Sequence, residues 1–412
     1  MNNVPIQLLV VDDDPICAAF VLHLLGKLDA ELACAPVWVA TAEKALEEMQ
    51  AKAYDLVLLD YKLPGTDGLD VLSRVHSLPA AIQPAVIMLT GSGSEMVAVE
   101  AMKRGAKDYL PKNGLDLPPL TRAITSALAQ KRLEARIAQY TEELRQKNEQ
   151  MQADLDLARE FQLAFLPRRF PAFPRGATDE QSRIRFYHRY QPSGSVGGDF
   201  YSVLSLSDSQ AAVFVCDVMG HGLRAALVTA IVRGLIEEAR PLASNPGRFM
   251  TEINRTLAGI LQQTDSTVFA SAFYLVADVE HGRFRYTNAG HPCPLHVQRR
   301  AGRTVALTCC QNFHGPVLGL VEESTYQTSE CTATPGDIIL LYTDGIYEAT
   351  APDGEEYGQE RLRRAAQSHS ELAADPLLQG LLDDVQRFSG GAGFSDDVCL
   401  VGVEVRQVGS NV

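Results

Sequence analysis

Between Lys131 and Glu160 the chain contains neither glycine nor proline, and this stretch constrains its architecture more than any other. Apolar or small side chains recur at Leu133, Ile137, Tyr140, Leu144, Met151, Leu155, Ala158 and Phe165, with Asn148 and Gln162 on the same seam. Gaps of three and four are the period of a helix with one apolar stripe. A doubled gap of four ending at Asn148 resembles a stutter in a coiled coil. A lone helix would leave that seam in water. The expectation is therefore a helical linker over 120–166 that pairs as a parallel two-stranded coiled coil, a homodimer through the linker helix, with a lone exposed helix as the alternative. The Leu166–Pro167 step should end it. The chain is then read as three parts: 1–119, 120–166 and 167–412.

Before the linker, short apolar runs at Gln7–Val11, Pro36–Ala40, Asp55–Leu59, Ala85–Leu89 and Asp108–Leu110 alternate with amphipathic stretches near 15–28, 42–51, 68–77 and 94–104. Continuous apolar strands separated by helices imply a parallel sheet covered on both faces. This is a doubly wound α/β domain with five parallel strands. After a Pro- and Arg-rich loop at 168–180 the pattern becomes strand-rich, near 184–191, 199–205, 211–216, 268–279, 283–288, 337–343 and 397–405. Helical stretches fall at 222–239, 246–262, 359–368 and 375–388. Grouped strands with inserted helices predict an α+β or sandwich architecture.

Composition excludes several function classes. With 51 acidic against 37 basic side chains the net charge is −14, which repels a phosphate backbone, so no nucleic-acid partner is expected. No apolar run approaches the roughly 20 residues that span a bilayer, and the N-terminus lacks a basic signal-peptide region, so no membrane partner is expected. Eight cysteines without CxxC spacing, only Cys309 and Cys310 being adjacent, fit reduced thiols and a cytoplasmic location.

In the first domain, Asp12 and Asp13 follow LLVV, Asp60 follows DLVLL, Thr90 follows VIML, and Lys112 comes just after the fifth strand. The carboxyl ends of parallel strands share one rim, where ligands bind. Clustered carboxylates repel unless a cation sits among them, and hard oxygen ligands suit Mg2+. One acid could then accept a phosphoryl group. VVDD, LLDYKLPGTDG, MLTG and DYLPK, in that order over residues 6–118, resemble the receiver domain of two-component response regulators. The resemblance implies that Asp60 is the phosphoacceptor and that Asp12, Asp13, Asp60 and the main-chain carbonyl of Lys62 hold Mg2+. It also implies that Thr90, Tyr109 and Lys112 form the switch, and that a histidine kinase or phosphotransfer protein is the donor. Asp14 leaves a second register for the acidic pair, Asp13 with Asp14; strand register favours Asp12 and Asp13. Asn113 stands where the family commonly carries proline.

In the second domain, aspartates mark four apolar segments: SVGGDF with Asp199, VFVCDVMGHG with Asp217, LLYTDGIYEA with Asp344, and FSDDVCLV with Asp396 and Asp397. Aspartate is poor inside strands, and four strand termini carrying it suit an all-carboxylate site for Mg2+ or Mn2+. Two such ions about 3.5–4 Å apart would activate a bridging water for in-line attack on a phosphoryl centre. With LAREFQLAFLP and YTNAGHPCPL, these segments resemble the metal-dependent protein phosphatase family of the PP2C type, in its bacterial SpoIIE/RsbU branch, over roughly 155–406. The resemblance implies an αββα sandwich with two Mn2+ or Mg2+ held by Asp199, Asp217, the carbonyl of Val218, Asp344 and Asp396. Asp397, Gly220 and His221 would support them from behind. Cys399 replaces the family's usual Thr or Ser. His221 and His291 are read as fixing turns, and Tyr342 and Thr343 as strand packing.

The expected function is a phosphorylation-controlled response regulator that hydrolyses phosphoserine or phosphothreonine on a protein. By resemblance the substrate is a phosphorylated STAS-type anti-sigma-factor antagonist, and the helix at Ala158–Pro167 is a switch that repositions the VGGDF ligand. The alternative is a non-catalytic scaffold that binds an anti-sigma or sigma factor under receiver control. A DNA-binding output is disfavoured, because no basic recognition helix follows residue 120.

Overall fold

Strand β1 (Ile6–Val11) buries Leu8, Leu9, Val10 and Val11 completely, and a strand without a wet face needs helices on both sides. The computed structural model describes residues 5–29, 32–79, 82–91, 95–167, 169–220, 222–263, 268–308 and 315–409. They divide into two units, Met1–Asn148 and Glu149–Val412. No helix among the described residues is long and apolar enough to cross a membrane.

In the first unit β1 is followed by α1 (Pro15–Leu25), β2 (Cys34–Val39), α2 (Ala42–Ala51) and β3 (Leu56–Asp60). A small hairpin, β4 (Lys62–Leu63) and β5 (Thr66–Asp67), leads to α3 (Gly68–His76), β6 (Ala85–Thr90), α4 (Glu95–Lys103) and β7 (Asp108–Pro111). The parallel sheet has the order β2-β1-β3-β6-β7, the doubly wound arrangement expected. Alternation along the strands divides the core. Leu8, Val10, Leu56 and Leu58 pack with Val21 and Leu24 of α1, whereas Leu9, Val11, Val57 and Leu59 pack with residues of α2 and α3.

The linker stretch is one helix of 49 residues, α5 (Leu117–Phe165). Its first turns are the last layer of the receiver-like core, because Leu120, Ala123, Ile124, Ala127 and Leu128 are buried against the sheet. Further along, Lys107 pairs with Glu134 at 2.6 Å, and Lys131 donates to the carbonyls of Tyr54 and Asp55. Leu133, Ile137, Tyr140, Leu144 and Met151 of the seam are exposed. Gln162 is not: it is buried and engaged within its own chain.

The second unit contains two antiparallel sheets. Its elements are β8 (Ile184–Gln191), β9 (Asp199–Ser205), β10 (Gln210–Val218), α6 (Leu223–Glu238), α7 (Pro246–Leu261), β11 (Ala270–Asp278), β12 (Arg283–Ala289), β13 (Leu295–Gln298), β14 (Arg303–Ala306), β15 (Ser329–Thr332), β16 (Ile338–Tyr342), α8 (Gln359–Ser368), α9 (Ala374–Phe388) and β17 (Val398–Val405). One sheet has the order β15-β12-β11-β10-β9, the other β14-β13-β16-β17-β8. Val213, Val215, Phe273 and Leu275 of the first meet Ile339, Leu341, Val401 and Val403 of the second. Outside this core, α6 and α7 cover the first sheet and α8 and α9 the second. The result is the αββα layering. Strands β13, β14 and β15 were not foreseen: each is four residues long, too short for alternation to declare itself.

The helix boundary has a measurable consequence. Ile124→Ala should destabilise the first unit by about 2–4 kcal/mol through loss of a fully buried side chain, read as a shift in its urea midpoint.

Candidate functional site

Two sites emerge, one in each unit. In the first, Asp12 directly follows β1, and β3 and β6 end in Asp60 and Thr90, all buried. Lys112, one residue past β7, places Nζ 2.8 Å from Oδ2 of both Asp12 and Asp60. Burial disfavours its charge, but the bonds to both carboxylates win and hold it above the ordinary lysine range. Asp60 is raised, by burial first and by Asp12, against the opposing pull of Lys112. Carboxylate oxygens of Asp12, Asp13 and Asp60 lie within 4.8 Å of one another, the arrangement a hard cation takes. Asp14 is used elsewhere: it caps α1, accepting from the Ile16 N–H at 2.9 Å. Asp12 and Asp13 are therefore the pair that meets Asp60. Lys62 lies in β4, where its main-chain N–H bonds Asp60, and Tyr109 stands exposed on β7.

In the second unit the β9–β10 register sets Asp199 directly beside Asp217, while Asp344 follows β16 and Asp396 precedes β17. Asp217, Asp344 and Asp396 line one cleft of about 690 Å³ with Met219, Gly220, Ser271 and His291. Asp199 lies behind it, 1% exposed, with Oδ2 accepting from Thr343 Oγ1 at 2.6 Å and Oδ1 without a hydrogen-bond partner among the described residues. Burial, then Asp217, pushes Asp199 well above the carboxylate range. Asp217 is pushed up to about 7 by burial, then by Asp344 and Asp396. Asp344 is raised by burial and by Asp396.

Gly198 explains the cradle. A Cβ there would stand 2.6 Å from the Val218 carbonyl, 3.1 Å from the Gly220 carbonyl and 3.3 Å from Asp217 Oδ1. Three oxygens thus converge where the glycine leaves room. With the Asp199 carboxylate these are hard oxygen donors of the kind divalent cations take, although among the described residues no three of the Asp199, Asp217, Asp344 and Asp396 carboxylates come within 4.8 Å of one another.

Asp397 holds this arrangement together. Its Oδ1 accepts from Ser193 N–H and Oγ at 2.7 and 3.1 Å, and its Oδ2 accepts from Gly198 N–H at 2.6 Å. Gly345 packs so closely that a Cβ would lie 2.1 Å from the Asp397 carbonyl. Thr343, expected as strand packing, instead carries a relay, because its Oγ1 also accepts from the Cys399 N–H at 2.9 Å. The link uses Cys399 main chain, so a thiol in place of a hydroxyl leaves it intact. His221 lies outside the described residues, as do Cys309 and Cys310.

Two contacts involve residues the sequence did not single out, the first lying between the Ala158–Pro167 helix and the VGGDF segment on which it was expected to act. Gln162 of α5 clasps Gly197, donating to its carbonyl at 2.7 Å and accepting from its N–H at 3.1 Å. His291, buried beneath the cleft, bonds Ser271. Neither Gln162, indistinguishable from a coiled-coil position, nor Ser271, a small residue in an apolar strand, carried a local signal.

These features define a doubly wound α/β fold with an acidic rim and an acid-lined αββα sandwich. Residues 8–125 match the family model described as response regulator receiver domain, and residues 207–406 the one described as Stage II sporulation protein E (SpoIIE). The chain thus carries a receiver domain and a PP2C domain of the SpoIIE type. Over 229 residues it is 28% identical to phosphoserine phosphatase RsbP of Bacillus subtilis (strain 168), covering 55% of this chain and 53% of RsbP. With phosphoserine phosphatase RsbU of the same organism it shares 22% identity over 194 residues, 47% of this chain and 55% of RsbU. The chain spans about half the length of the curated relatives it matches. Its fold is similar to the SiaA-PP2C domain of Pseudomonas aeruginosa, with TM-score 0.52 and 19% identity, covering 63% of this chain and 98% of that domain.

The crowded carboxylates set a pH dependence. Because Asp217 is raised from 3.8 to about 7, the folded chain holds a proton that the unfolded chain has released across that interval. In chelator, the second unit's Tm should therefore fall as pH rises from about 4 to about 7. Asp217→Asn should flatten the decline, and added Mn2+ should oppose it in the wild type.

Proposed function

We propose that this chain is a response regulator whose output is metal-dependent hydrolysis of phosphoserine or phosphothreonine on a protein. One observation carries the reading: the oxygens of Asp217, Val218 and Gly220 converge on Gly198, next in sequence to the buried Asp199, and Asp217 and Gly220 line one cleft with Asp344 and Asp396. In this reading 1–119 is the receiver, 120–166 the linker and 167–412 the phosphatase.

Asp217, the Val218 carbonyl, Asp344, Asp396 and Asp199 would hold two Mn2+ or Mg2+. When bound, such a pair neutralises the substrate phosphate and lowers the pKa of bound water. The protein's own part is to hold the aspartates in place, through Asp397 on one side and Thr343 on the other. Gly220 supports the cradle, and His221 is assigned to the same turn. In the receiver, Asp60 accepts the phosphoryl group from a histidine kinase or phosphotransfer protein, with Mg2+ held by Asp12, Asp13, Asp60 and the Lys62 carbonyl. Lys112 balances the added charge, and Thr90 and Tyr109 register it.

The clasp of Gln162 on Gly197, two residues before Asp199, gives α5 a handle on a ligand. Its exposed seam is assigned to a homodimer. The relatives' names, phosphoserine phosphatase, support the reaction class. The proposed substrate is a phosphorylated STAS-type anti-sigma-factor antagonist in the cytoplasm.

The test is phosphate release from a phosphoserine protein with Mn2+, with and without beryllofluoride on the receiver. Asp344→Asn should lower turnover by about 100-fold or more, and Asp60→Asn should remove the beryllofluoride response while leaving metal dependence intact. Gln162→Ala should uncouple the response in the same way. Wild-type protein silent under both conditions would sink the catalytic reading in favour of a scaffold.

A further inference from the structure

The cleft contains a polar pair that the reading above leaves unused. Ser271 on β11 stands directly opposite Asp217 on β10 and lines the same cleft. Its Oγ lies 2.7 Å from Nδ1 of His291. His291 is only 4% exposed, and Asn288 fixes its backbone: His291 N–H donates to Asn288 Oδ1 at 2.7 Å, and its carbonyl accepts from Asn288 Nδ2 at 2.8 Å. Burial holds the imidazole near pKa 3, so the ring is uncharged and offers one donor and one acceptor. In the tautomer with the proton on Nδ1, the ring donates to Ser271 Oγ and leaves the hydroxyl proton free to donate into the cleft.

The electrostatics give that hydroxyl a task. Among the described residues the cleft lining holds three carboxylates, Asp217, Asp344 and Asp396, and neither lysine nor arginine. A phosphoryl group entering it meets neither ammonium nor guanidinium among those described lining residues. Cations at the aspartates would neutralise its charge, but a phosphoryl oxygen turned away from them still needs a hydrogen bond from a neutral group. The lining offers Ser271, Tyr347 and Gln359 for this, and the last two bond each other. Ser271 alone of the three is placed opposite Asp217 and held by a buried partner.

We propose that Ser271 is the neutral contact for a phosphoryl oxygen of the substrate, and that His291 is the positioning residue that aims it. This rests on the phosphatase reading, and it names the group that recognises phosphate within that site.

The experiment titrates inorganic phosphate into the full chain loaded with Mn2+, by calorimetry, beside steady-state kinetics on a phosphoserine peptide. Ser271→Ala should weaken phosphate binding and raise KM by about tenfold or more. Its kcat should stay within about threefold, and its Mn2+ affinity should not change. Ser271→Thr should restore what alanine loses, and His291→Asn should reproduce the alanine phenotype at unchanged Mn2+ affinity. The proposal is overturned if Ser271→Ala binds phosphate as wild type does, if Mn2+ affinity falls along with phosphate binding, or if the loaded wild type binds no phosphate. Failure of the phosphatase reading looks different: the loaded wild type binds phosphate and Ser271→Ala weakens it, yet neither releases phosphate from any peptide.

Discussion

Carboxylates brought together at the ends of strands repel one another, and the architecture of both domains follows from how that repulsion is contained. In the PP2C domain the containment is mechanical. Asp397 draws the Ser193–Gly198 loop onto itself through three donors, which fixes the approach to Asp199. Thr343 grips Asp199 from the other sheet. The strand pairing then leaves no freedom, because Asp199 and Asp217 occupy one register position on adjacent strands. Proton affinities at Asp199, Asp217 and Asp344 are raised by burial first and by the neighbouring carboxylates second.

The receiver contains the same repulsion by a different route. Lys112 reaches between Asp12 and Asp60 at 2.8 Å from each, so an internal cation compensates two acids before any ligand arrives. The cleft has no such cation among its described lining residues. A site with a built-in ammonium can be charged and discharged by covalent phosphate, as a switch requires. A site without one depends on external cations for any anionic ligand, as suits metal-dependent chemistry.

Much of this was legible in the sequence because the chemistry sits where periodicity stops. Each apolar run that ends in aspartate announces both a strand and its functional terminus, and the placements of Asp12, Asp60, Asp217 and Asp344 follow from that alone. Asp397 was legible as an acid but not as the hub of a loop 199 residues away, because that contact exists only after the two sheets meet. Thr343 read as packing for the same reason: its partners, Asp199 and Cys399, lie on different strands. Gln162 fell within a heptad-like seam whose period is indifferent to whether a position faces a second helix or its own domain.

That last case shows why α5 deserves to be considered as three helices in one. Its start is core, with Ile124 and Ala127 wholly buried; its middle presents an apolar seam to water; its end spends a buried glutamine on a glycine main chain. Helical periodicity is continuous through all three, so no local rule separates them, yet their energetics differ. The core turns are held by hydrophobic burial, which tolerates little displacement without opening a cavity. The Gln162 clasp is two hydrogen bonds, each of modest net worth against water, on the order of 1 kcal/mol. An element anchored strongly at one end and weakly at the other yields first at the weak end. In α5 that end is the one attached to the Gly197–Asp199 loop, so the contact closest to the proposed metal ligands is also the one that the least free energy can rearrange.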